Sequence, residues 1–331
     1  EKGKYISYAN CGLPYYLGGI IEERDRLFVQ TPATFSRRFM VDVRVENEAL
    51  SIDSARNIVR VRNQEGKEYE ESYDKLLLAP GSHPLRPDLE GIDLDGIFTL
   101  RNVDDTDGIK AFMIKKPRGR AVIVGGGFIG LEMAEQLCRK QMKVQLVELM
   151  NQVIPPLDAP MTMLLESELR RNGVEVFLGD GIRDFRPENE HVTCRLNSGT
   201  CLEADIVILS IGVKPDTELA RAAGLTLGVR GHLVVDEYQR TSNPDIYAAG
   251  DAVETLDRVM PAKTAVPMGG PANRQGRVAA DHIFLGEKAR PYPGSLGTGI
   301  VRAFDVVAGI TGWSEKRLQT ASHAYETVTV N

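Results

Sequence analysis

A glycine-rich turn between an apolar strand and a helix constrains this chain more than any other feature of its sequence. Residues 120–124 (RAVIV) are a short apolar run typical of a buried parallel strand, and the turn GGGFIG follows at 125–130. Helical spacing continues from Leu131 to about Lys140, and a second apolar run, VQLVE, ends at Glu148. This order of strand, glycine turn, helix and strand is the context that a dinucleotide-binding fingerprint requires.

Each glycine of the turn has its own expected task. Gly125 permits the tight turn, Gly127 lets the backbone approach a pyrophosphate, and Gly130 lets the helix pack against the strand. The pyrophosphate would lie at the helix N-terminus, where free N–H groups and the helix dipole favour anions. Glu148, 18 residues beyond Gly130, is placed to accept hydrogen bonds from ribose hydroxyls and to repel a 2′-phosphate. We therefore predict NADH in preference to NADPH.

Two other stretches of the chain resemble each other. YDKLLLAPGSHP spans 73–84 and ADIVILSIGVKP spans 204–215, and their acid, turn glycine and final proline match at one offset of 131 residues. Each stretch follows a polar hairpin signal, near Gly66 and at Ser198-Gly199. The pattern is simple enough to recur by chance, but three matches at one offset favour an internal duplication. The first copy has no glycine turn of its own, so we expect its first βα unit to lie before residue 1, with Glu1 as the acid that ends that unit's second strand.

Composition bounds the class of protein. The 331 residues suit two compact domains with part of a third, and the net charge of −6 argues against a nucleic-acid or anionic-membrane partner. No apolar run approaches the roughly 20 residues of a membrane helix. The five histidines form no metal-ligand cluster, so we predict no metal. Four irregularly spaced cysteines, with no disulfide framework, predict a cytoplasmic protein: Cys11, Cys138, Cys194 and Cys201.

The cysteines differ in their surroundings. Cys11 precedes a helix that we predict to begin near Gly12 or Leu13, and a thiol at a helix N-terminus is acidified by the dipole. Read alone, Cys11 is equally well explained as a small buried hydrophobic residue. Cys138 is predicted to pack inside the helix after the glycine turn. Cys194 and Cys201 flank a hairpin signal: a turn at 197 and 198 would place them opposite each other, and a turn at 198 and 199 would not. We interpret these three cysteines as structural.

The surroundings of Cys11 carry a family resemblance. The run Asn10-Cys11-Gly12-x-Pro14-Tyr15-Tyr16 resembles the signature of the coenzyme A-disulfide reductases, the single-cysteine branch of the FAD-dependent pyridine nucleotide-disulfide oxidoreductases, whose relatives include NADH-dependent persulfide reductases and NADH oxidases. The resemblance covers essentially the whole chain. It continues through LLLAPG (76–81), TLRNVDDTD (99–107), VGGGFIGLE (124–132), SIGVKP (210–215), IYAAGDAVE (246–254) and GPANRQGR (270–277).

This resemblance implies an α/β fold with two Rossmann-like, three-layer domains that bind FAD and NAD(P), followed by the start of an α+β C-terminal dimerisation domain. The implied boundaries are 1–117 for the first part of the FAD-binding domain (initial βα unit missing), 118–243 for the NADH-binding domain and 244–294 for the second part of the FAD-binding domain. Residues 295–331 would begin the dimerisation domain and contribute one strand before the chain stops. The full-length protein would then be a homodimer.

The resemblance also implies roles for individual residues. Cys11 matches the redox-active cysteine next to the flavin, Asp251 the aspartate that holds the ribityl chain, Gly81 the turn glycine between the cofactor domains, and Glu132 the acid near the nicotinamide. Ser7, Asn10 and Asn273 match groups that line the coenzyme A or thiol pocket. Further contacts are implied for FAD at Glu1, Lys2, Ala49, Pro80, Gly250 and Pro267, and for NADH at Phe128, Ile129 and Gly212. Two arginine pairs, Arg37-Arg38 and Arg274 with Arg277, are either contacts to coenzyme A phosphates or solvated surface residues.

No second cysteine stands three or five residues after Cys11, where Pro14 and Tyr16 occur, so a substrate thiol must supply the second sulfur. The leading hypothesis is FAD- and NADH-dependent reduction of coenzyme A disulfide, with persulfide or polysulfide as an overlapping substrate. The alternative is an NADH oxidase or peroxide reductase in which Cys11 cycles through a sulfenic acid. A third hypothesis, from a different class, is a non-catalytic NADH-binding fragment or sensor.

Overall fold

The computed structural model of the chain describes residues 1–228 and 230–330. Its strands are β1 Ser7–Tyr8, β2 Phe28–Gln30, β3 Glu48–Asp53, β4 Ile58–Arg62, β5 Glu68–Ser72, β6 Leu76–Leu78, β7 Ser82–Pro84, β8 Ile97–Thr99, β9 Arg120–Val124, β10 Lys143–Glu148, β11 Glu175–Leu178, β12 Ile182–Glu188, β13 His191–Leu196, β14 Cys201–Ala204, β15 Ile206–Leu209, β16 Val213–Pro215, β17 Ile246–Ala248, β18 Thr255–Leu256, β19 Lys263–Thr264, β20 Gly299–Ala303 and β21 Val306–Ile310. Its α-helices are α1 Leu13–Gly18, α2 Pro32–Phe39, α3 Val103–Lys115, α4 Phe128–Arg139, α5 Ala159–Arg171, α6 Glu218–Ala222, α7 Gly269–Leu285 and α8 Glu315–Thr320, and short 3-10 turns occur at Asn10–Gly12, Arg24–Leu27 and Gly286–Lys288.

The chain folds into two compact units, each built from separate stretches of sequence. The first unit contains residues 1–8, 30–83 and 213–297, and the second contains residues 9–29, 84–212 and 298–331.

A parallel sheet of five strands, in the order β11-β10-β9-β15-β8, is the centre of the second unit. In the middle strand, Val122 lies opposite Gln145 of β10 and Val207 of β15. Ala121 to Val124 are buried, as expected of an apolar run inside a parallel sheet. The bounds of β9, α4 and β10 confirm the strand–turn–helix–strand unit predicted from residues 120–148.

Residues 84–117, which precede the domain boundary predicted at 117/118, belong to the second unit. β8 pairs in parallel with β15, with Phe98 opposite Ile208, and so extends the central sheet. Residues 84–117 therefore pack with the unit that contains the glycine turn. The sequence does not reveal this assignment, because a strand of three residues is too short to carry a pattern and its position depends on the strand with which it pairs.

The first unit is organised around a parallel pair and an antiparallel sheet. β6 pairs with β17, with Leu76 opposite Ile246 and Leu78 opposite Ala248, and β3, β4 and β5 form the antiparallel sheet. Their apolar side chains form one core: Ile52, Leu78, Ala220, Leu225, Leu233, Val235, Ile246, Ala248 and Val253.

The internal architecture of the two units supports the duplication inferred from the 131-residue offset. Three antiparallel strands, β3-β4-β5, precede β6 in the first unit, and β12-β13-β14 precede β15 in the second. A glycine with positive φ follows each strand after the same interval, Gly81 at 76° after β6 and Gly212 at 112° after β15. The next strands, β7 and β16, are also offset by 131 residues. Only glycine adopts such angles without strain, so both turns require it.

The β13–β14 hairpin differs from both predicted turns. Cys194 pairs with Leu202 and Arg195 with Cys201, so the loop has three residues, 197 to 199. A three-residue loop with a glycine at φ 93° at its end is a common hairpin form, and it shifts the register midway between the two alternatives. The two cysteines are therefore not cross-strand partners. Cys194 is buried in the core, whereas Cys201 is exposed.

The end of the chain contains a hairpin where the sequence predicted one strand. β20 and β21 pair antiparallel, with Val301 opposite Ala308, and Phe304 lies in the left-handed region at φ 52° in the tight turn between them. The helix α8 follows. Its first N–H groups, those of Glu315 and Lys316, donate to the Asp158 carboxylate. Within the described residues, every helix is too short or too polar to cross a membrane.

Candidate functional site

The turn between β9 and α4 has the geometry expected of a pyrophosphate site. Gly125 adopts φ 106°, and its N–H donates to the Val147 carbonyl at 2.8 Å. A Cβ at Gly125 would lie 2.4 Å from the Ser210 carbonyl oxygen, and one at Gly130 would lie 1.9 Å from the Gly125 carbonyl oxygen. Around Gly127, by contrast, no atom lies within 4 Å of the Cβ position. Gly125 and Gly130 thus close the turn, while Gly127 leaves the N-terminus of the twelve-residue α4 open to an anion.

Glu148 ends β10 and holds this turn in place. One carboxylate oxygen accepts the N–H of Gly126 at 2.6 Å, and the other accepts the N–H of Met150 at 2.8 Å. Only 8% of the side chain is exposed. The sequence predicted that Glu148 binds a ribose, and it did not predict that Glu148 also holds the turn in place. The position of Glu148 at the end of the strand next to the glycine turn was the available indication of this second role. A carboxylate has further acceptor sites, so the two roles are compatible.

Other residues predicted for NADH lie along the same edge of the sheet. Gly212 follows β15, the strand next to β9, so both turns are at the carboxyl ends of neighbouring parallel strands. Phe128 and Ile129 form the first turn of α4, and Ile129 is exposed. Open α/β sheets bind ligands at this edge.

Cys11 lies in the second unit, in the 3-10 turn that precedes α1. Two backbone bonds fix this turn: Ala9 N–H donates to the Leu27 carbonyl and Gly12 N–H donates to the Ala9 carbonyl, both at 2.8 Å. α1 begins at Leu13, as predicted. Its buried face holds Leu13, Pro14, Tyr16 and Leu17, whereas Cys11 and its neighbour Asn10 are exposed. The free thiol of Cys11 is therefore accessible, which excludes the buried-hydrophobe explanation.

α1 packs closely on α4. At Gly18 a Cβ would lie 1.9 Å from the Gln136 side-chain oxygen, so only glycine allows this approach. One turn before Gly18, the Tyr15 hydroxyl donates to Glu132 at 3.4 Å. Burial raises the pKa of Glu132 to about 7, and burial together with the nearby carboxylates of Glu132 and Glu135 raises the pKa of Tyr15. The family resemblance pointed to Glu132, and no local pattern in the sequence indicated its hydrogen bond with Tyr15 because this contact is tertiary.

In the first unit, the residues predicted to bind FAD gather around the turn after β17. Gly250 adopts φ 87°, and its N–H donates to the buried Gln275 at 2.9 Å. The Ser82 hydroxyl donates to the Asp251 carboxylate at 2.8 Å. Ser82 directly follows Pro80 and Gly81, so this hydrogen bond brings the predicted residues 80, 81, 250 and 251 together. Ser82 and Gln275 were not predicted.

A second group of predicted FAD residues lies at the start of the first unit. The Glu1 carboxylate accepts the Gly3 N–H at 2.7 Å, and the Glu1 carbonyl accepts the Asn47 N–H at 2.9 Å. Lys2 pairs with Glu48 at 2.8 Å, and this pair, with Arg62, lowers the pKa of Glu48. Ala49 is the next residue of β3, so Glu1, Lys2 and Ala49 are neighbours.

The residues predicted for the thiol or coenzyme A pocket are distributed over both units. Ser7 is half-buried in β1 and Asn273 is exposed on α7, both in the first unit, while Asn10 adjoins Cys11 in the second. Pro267 is exposed just before α7. The arginine pairs lie exposed, Arg37 and Arg38 in the last turn of α2, and Arg274 and Arg277 on α7.

Comparison with known proteins gives a consistent match. The family model described as "Pyridine nucleotide-disulphide oxidoreductase" matches residues 1–269. The chain is 35% identical over 312 residues to an NADH oxidase of Methanocaldococcus jannaschii, covering 94% of this chain and 69% of that protein. It is 32% identical over 313 residues to the coenzyme A disulfide reductase of Staphylococcus haemolyticus, again with 94% and 69% coverage.

Several solved structures of related oxidoreductases have a fold similar to that of this chain. The reduced CoADR-RHD of Bacillus anthracis superposes with a TM-score of 0.95 at 44% identity, covering 98% of this chain and 58% of that one. An NAD-dependent persulfide reductase from A. fulgidus gives 0.93 at 38% identity, with 97% and 60% coverage. An engineered water-forming NADPH oxidase bound to NADPH gives 0.91 at 27% identity, with 98% and 71% coverage. The chain thus spans less than two thirds of the first two structures.

Proposed function

Because the chain belongs to the pyridine nucleotide-disulphide oxidoreductase family, we propose that it carries out the FAD- and NADH-dependent reduction of coenzyme A disulfide, or of coenzyme A persulfide or polysulfide, through Cys11. One observation carries this proposal: Cys11 is an exposed free thiol in a rigid turn, and it belongs to the same compact unit as the open glycine turn of α4. Family members named coenzyme A disulfide reductase and persulfide reductase have the same fold.

In the proposed reaction the Cys11 thiolate attacks a substrate disulfide. A new S–S bond joins Cys11 to one substrate sulfur, and the other sulfur leaves as a thiolate that takes a proton from solvent. Two electrons then break this mixed disulfide, so that Cys11 regains its thiolate and the second substrate thiol leaves. FAD, when bound, passes these two electrons on from NADH.

The described residues suit both cofactors. At the N-terminus of α4, the open space around Gly127 and the free N–H groups fit the pyrophosphate of NADH. In the first unit, Asp251 is oriented by Ser82 and its turn is held by Gln275, an arrangement that fits a hydroxyl-bearing ribityl chain. Asn10, the exposed neighbour of Cys11 in the second unit, is proposed to contact the thiol end of coenzyme A.

The matched test replaces Cys11 and Cys201 by serine in separate variants of the full-length protein. Both are exposed free thiols of the same unit, so the second variant controls for general loss of a thiol. We expect Cys11→Ser to abolish disulfide reduction and to remove the long-wavelength thiolate-to-flavin absorbance that NADH produces anaerobically, and Cys201→Ser to keep both. Full disulfide-reductase activity in Cys11→Ser would exclude the proposal.

The preference for NADH over NADPH rests on Glu148. In the engineered NADPH oxidase, a glycine and an aspartate that lie 18 positions apart are both replaced by alanine, and the residue after the aspartate becomes arginine. Gly130 and Glu148 have the same separation here, and Leu149 follows with an exposed side chain. We expect Glu148→Ala with Leu149→Arg to shift the kcat/KM ratio toward NADPH, whereas Leu149→Arg alone shifts it much less. A wild-type ratio that already favours NADPH would refute this preference.

An NADH oxidase or peroxide reductase remains the second candidate, favoured by the relative from Methanocaldococcus jannaschii. In that reaction Cys11 would form a sulfenic acid. Parallel assays of oxygen or peroxide consumption and of coenzyme A disulfide reduction, with the same enzyme and NADH, separate the two. We further propose a cytoplasmic homodimer; the four free cysteines support the cytoplasmic location.

A further inference from the structure

A half-buried acid–phenol pair joins the helix that begins at the dinucleotide turn to the helix that follows Cys11. Glu132 lies one turn beyond Phe128 on α4, on the same face of the helix, and accepts the Tyr15 hydroxyl at 3.4 Å. Tyr15 in turn lies four residues after Cys11. The pair thus lies within the second unit between the two segments that the proposed function uses, the nucleotide turn and the redox thiol.

The surroundings of the pair favour a proton on Glu132. Burial raises the pKa of Glu132 to about 7, with a smaller upward contribution from Glu135 one turn along α4, while the hydrogen bond from Tyr15 acts in the opposite direction. On the Tyr15 side, Arg302 of β20 is the charged group that lowers the pKa of the phenol. Glu135 is itself tied to the hairpin, since its carboxylate accepts the Phe304 N–H at 2.9 Å. Near neutral pH, Glu132 is therefore balanced between its two protonation states.

Oxidised and reduced nicotinamide differ by one positive charge on the ring. A unit charge about 10 Å from a partly buried carboxylate lowers its pKa by roughly one unit at an effective dielectric constant of about 20. If the ring of a dinucleotide bound at the N-terminus of α4 lies at such a distance from Glu132, a carboxylate balanced near neutrality responds to the redox state of that ring. The overall reaction also consumes a proton, because NADH and a disulfide become NAD⁺ and two thiols.

We propose that Tyr15 and Glu132 form a proton-holding pair that distinguishes the two redox states of the dinucleotide: Glu132 keeps its proton while the ring is uncharged and releases it when the ring is NAD⁺. The proposal rests on the proposed function, since it requires the dinucleotide to bind at the α4 turn. It makes Glu132 a positioning and charge-sensing group whose ionisation stabilises bound NAD⁺, and Tyr15 the residue that tunes it.

The test is calorimetric and independent of turnover. Titrations of the full-length FAD-loaded protein with NAD⁺ and with tetrahydro-NAD, an analogue whose uncharged ring transfers no hydride, are run in buffers of different ionisation enthalpy. At neutral pH we expect NAD⁺ to release about 0.4 proton, because a pKa that falls from about 7 by roughly one unit empties most of the half-occupied site. Tetrahydro-NAD should release almost none. The release should fade toward about pH 5 and about pH 9, where Glu132 keeps one state throughout.

Three variants make the assignment specific. Glu132→Gln should abolish the proton release while both ligands still bind, and Glu175→Gln, which alters an exposed acid of the same unit, should leave it unchanged. Tyr15→Phe should keep the release but move its maximum to higher pH, because the Tyr15 hydrogen bond lowers the pKa of Glu132. Binding of both ligands without proton release, or an unchanged release in Glu132→Gln, would overturn the proposal and leave the proposed function intact. Failure of both ligands to bind the wild-type protein would instead overturn the proposed function.

Discussion

Replacing Glu148 with alanine tests whether one side chain both shapes the nucleotide turn and stabilises the fold. Its carboxylate accepts the Gly126 N–H at 2.6 Å and the Met150 N–H at 2.8 Å. Hydrogen bonds to a charged acceptor contribute about 1.5–3 kcal/mol each, and a buried donor left without a partner costs about as much again as its desolvation. Gly126 is buried, so its N–H would lose its partner outright, whereas the N–H of the exposed Met150 can bond to water.

We therefore expect Glu148→Ala to lower the free energy of unfolding by about 3 kcal/mol, most of it from Gly126. Denaturant unfolding monitored by circular dichroism measures this change, and NADH affinity, measured in parallel, should fall about tenfold or more with the loss of turn shape and ribose contact. Glu175→Ala is the control, because this exposed acid accepts a hydrogen bond from the Gln145 side chain at the surface of the sheet, and its loss should change stability by less than about 0.5 kcal/mol. A Glu148→Ala protein within about 1 kcal/mol of wild type would refute the reasoning.

Further predictions concern pH, packing and thiol reactivity. Burial raises the pKa of Glu132 from 4.5 to about 7, so its ionisation opposes folding, and the wild-type protein loses stability as the pH rises through about 7. In denaturant unfolding, Glu132→Gln should be about 2 kcal/mol more stable than the wild type at about pH 8, and the two proteins should be equally stable near about pH 4.5. Gly130→Ala places a methyl group 1.9 Å from the Gly125 carbonyl, so we expect about 2 kcal/mol of destabilisation and weaker NADH binding, and an unchanged melting temperature would contradict this close approach. A thiol reagent should label Cys201 within the folded protein and Cys194 only after unfolding, as mass spectrometry of the labelled peptides can show.

The sequence predicted the fold best where the local residue pattern is itself determined by the position of the segment in the folded unit. β9 and β10 were predicted to within one residue because a buried parallel strand needs an apolar run. α4 begins at Phe128, three residues before the predicted start at Leu131. The duplication was likewise visible, since a positive φ at Gly81 and Gly212 requires the same residue in both copies.

What could not be predicted depends on contacts between distant segments. Ser82 lies 169 residues from Asp251, and Tyr15 lies 117 residues from Glu132, so no local pattern reports either hydrogen bond. The hairpin register failed for a different reason: a glycine at position 199 suits two-residue and three-residue loops alike, and the choice follows from packing Cys194 into the core. The three-residue strand β8 is too short to carry a pattern at all.

The surroundings of the other three thiols support the proposal that the second sulfur comes from the substrate. Burial raises the pKa of Cys138 to about 11 and that of Cys194 to about 12, so both thiols stay protonated near neutral pH. Cys194 is also buried, whereas Cys138 is half-buried. Cys201 is exposed, but its Sγ lies against its own hairpin turn, 3.8 Å from the Gly199 carbonyl oxygen. In α1, Pro14 and Tyr16 occupy the positions three and five residues after Cys11 where a partner cysteine would stand, and both are buried. Cys11 is an exposed cysteine in the turn before α1, and α1 packs on α4, the helix that begins at the glycine turn. This placement supports the proposal that Cys11 reacts with a sulfur of the substrate.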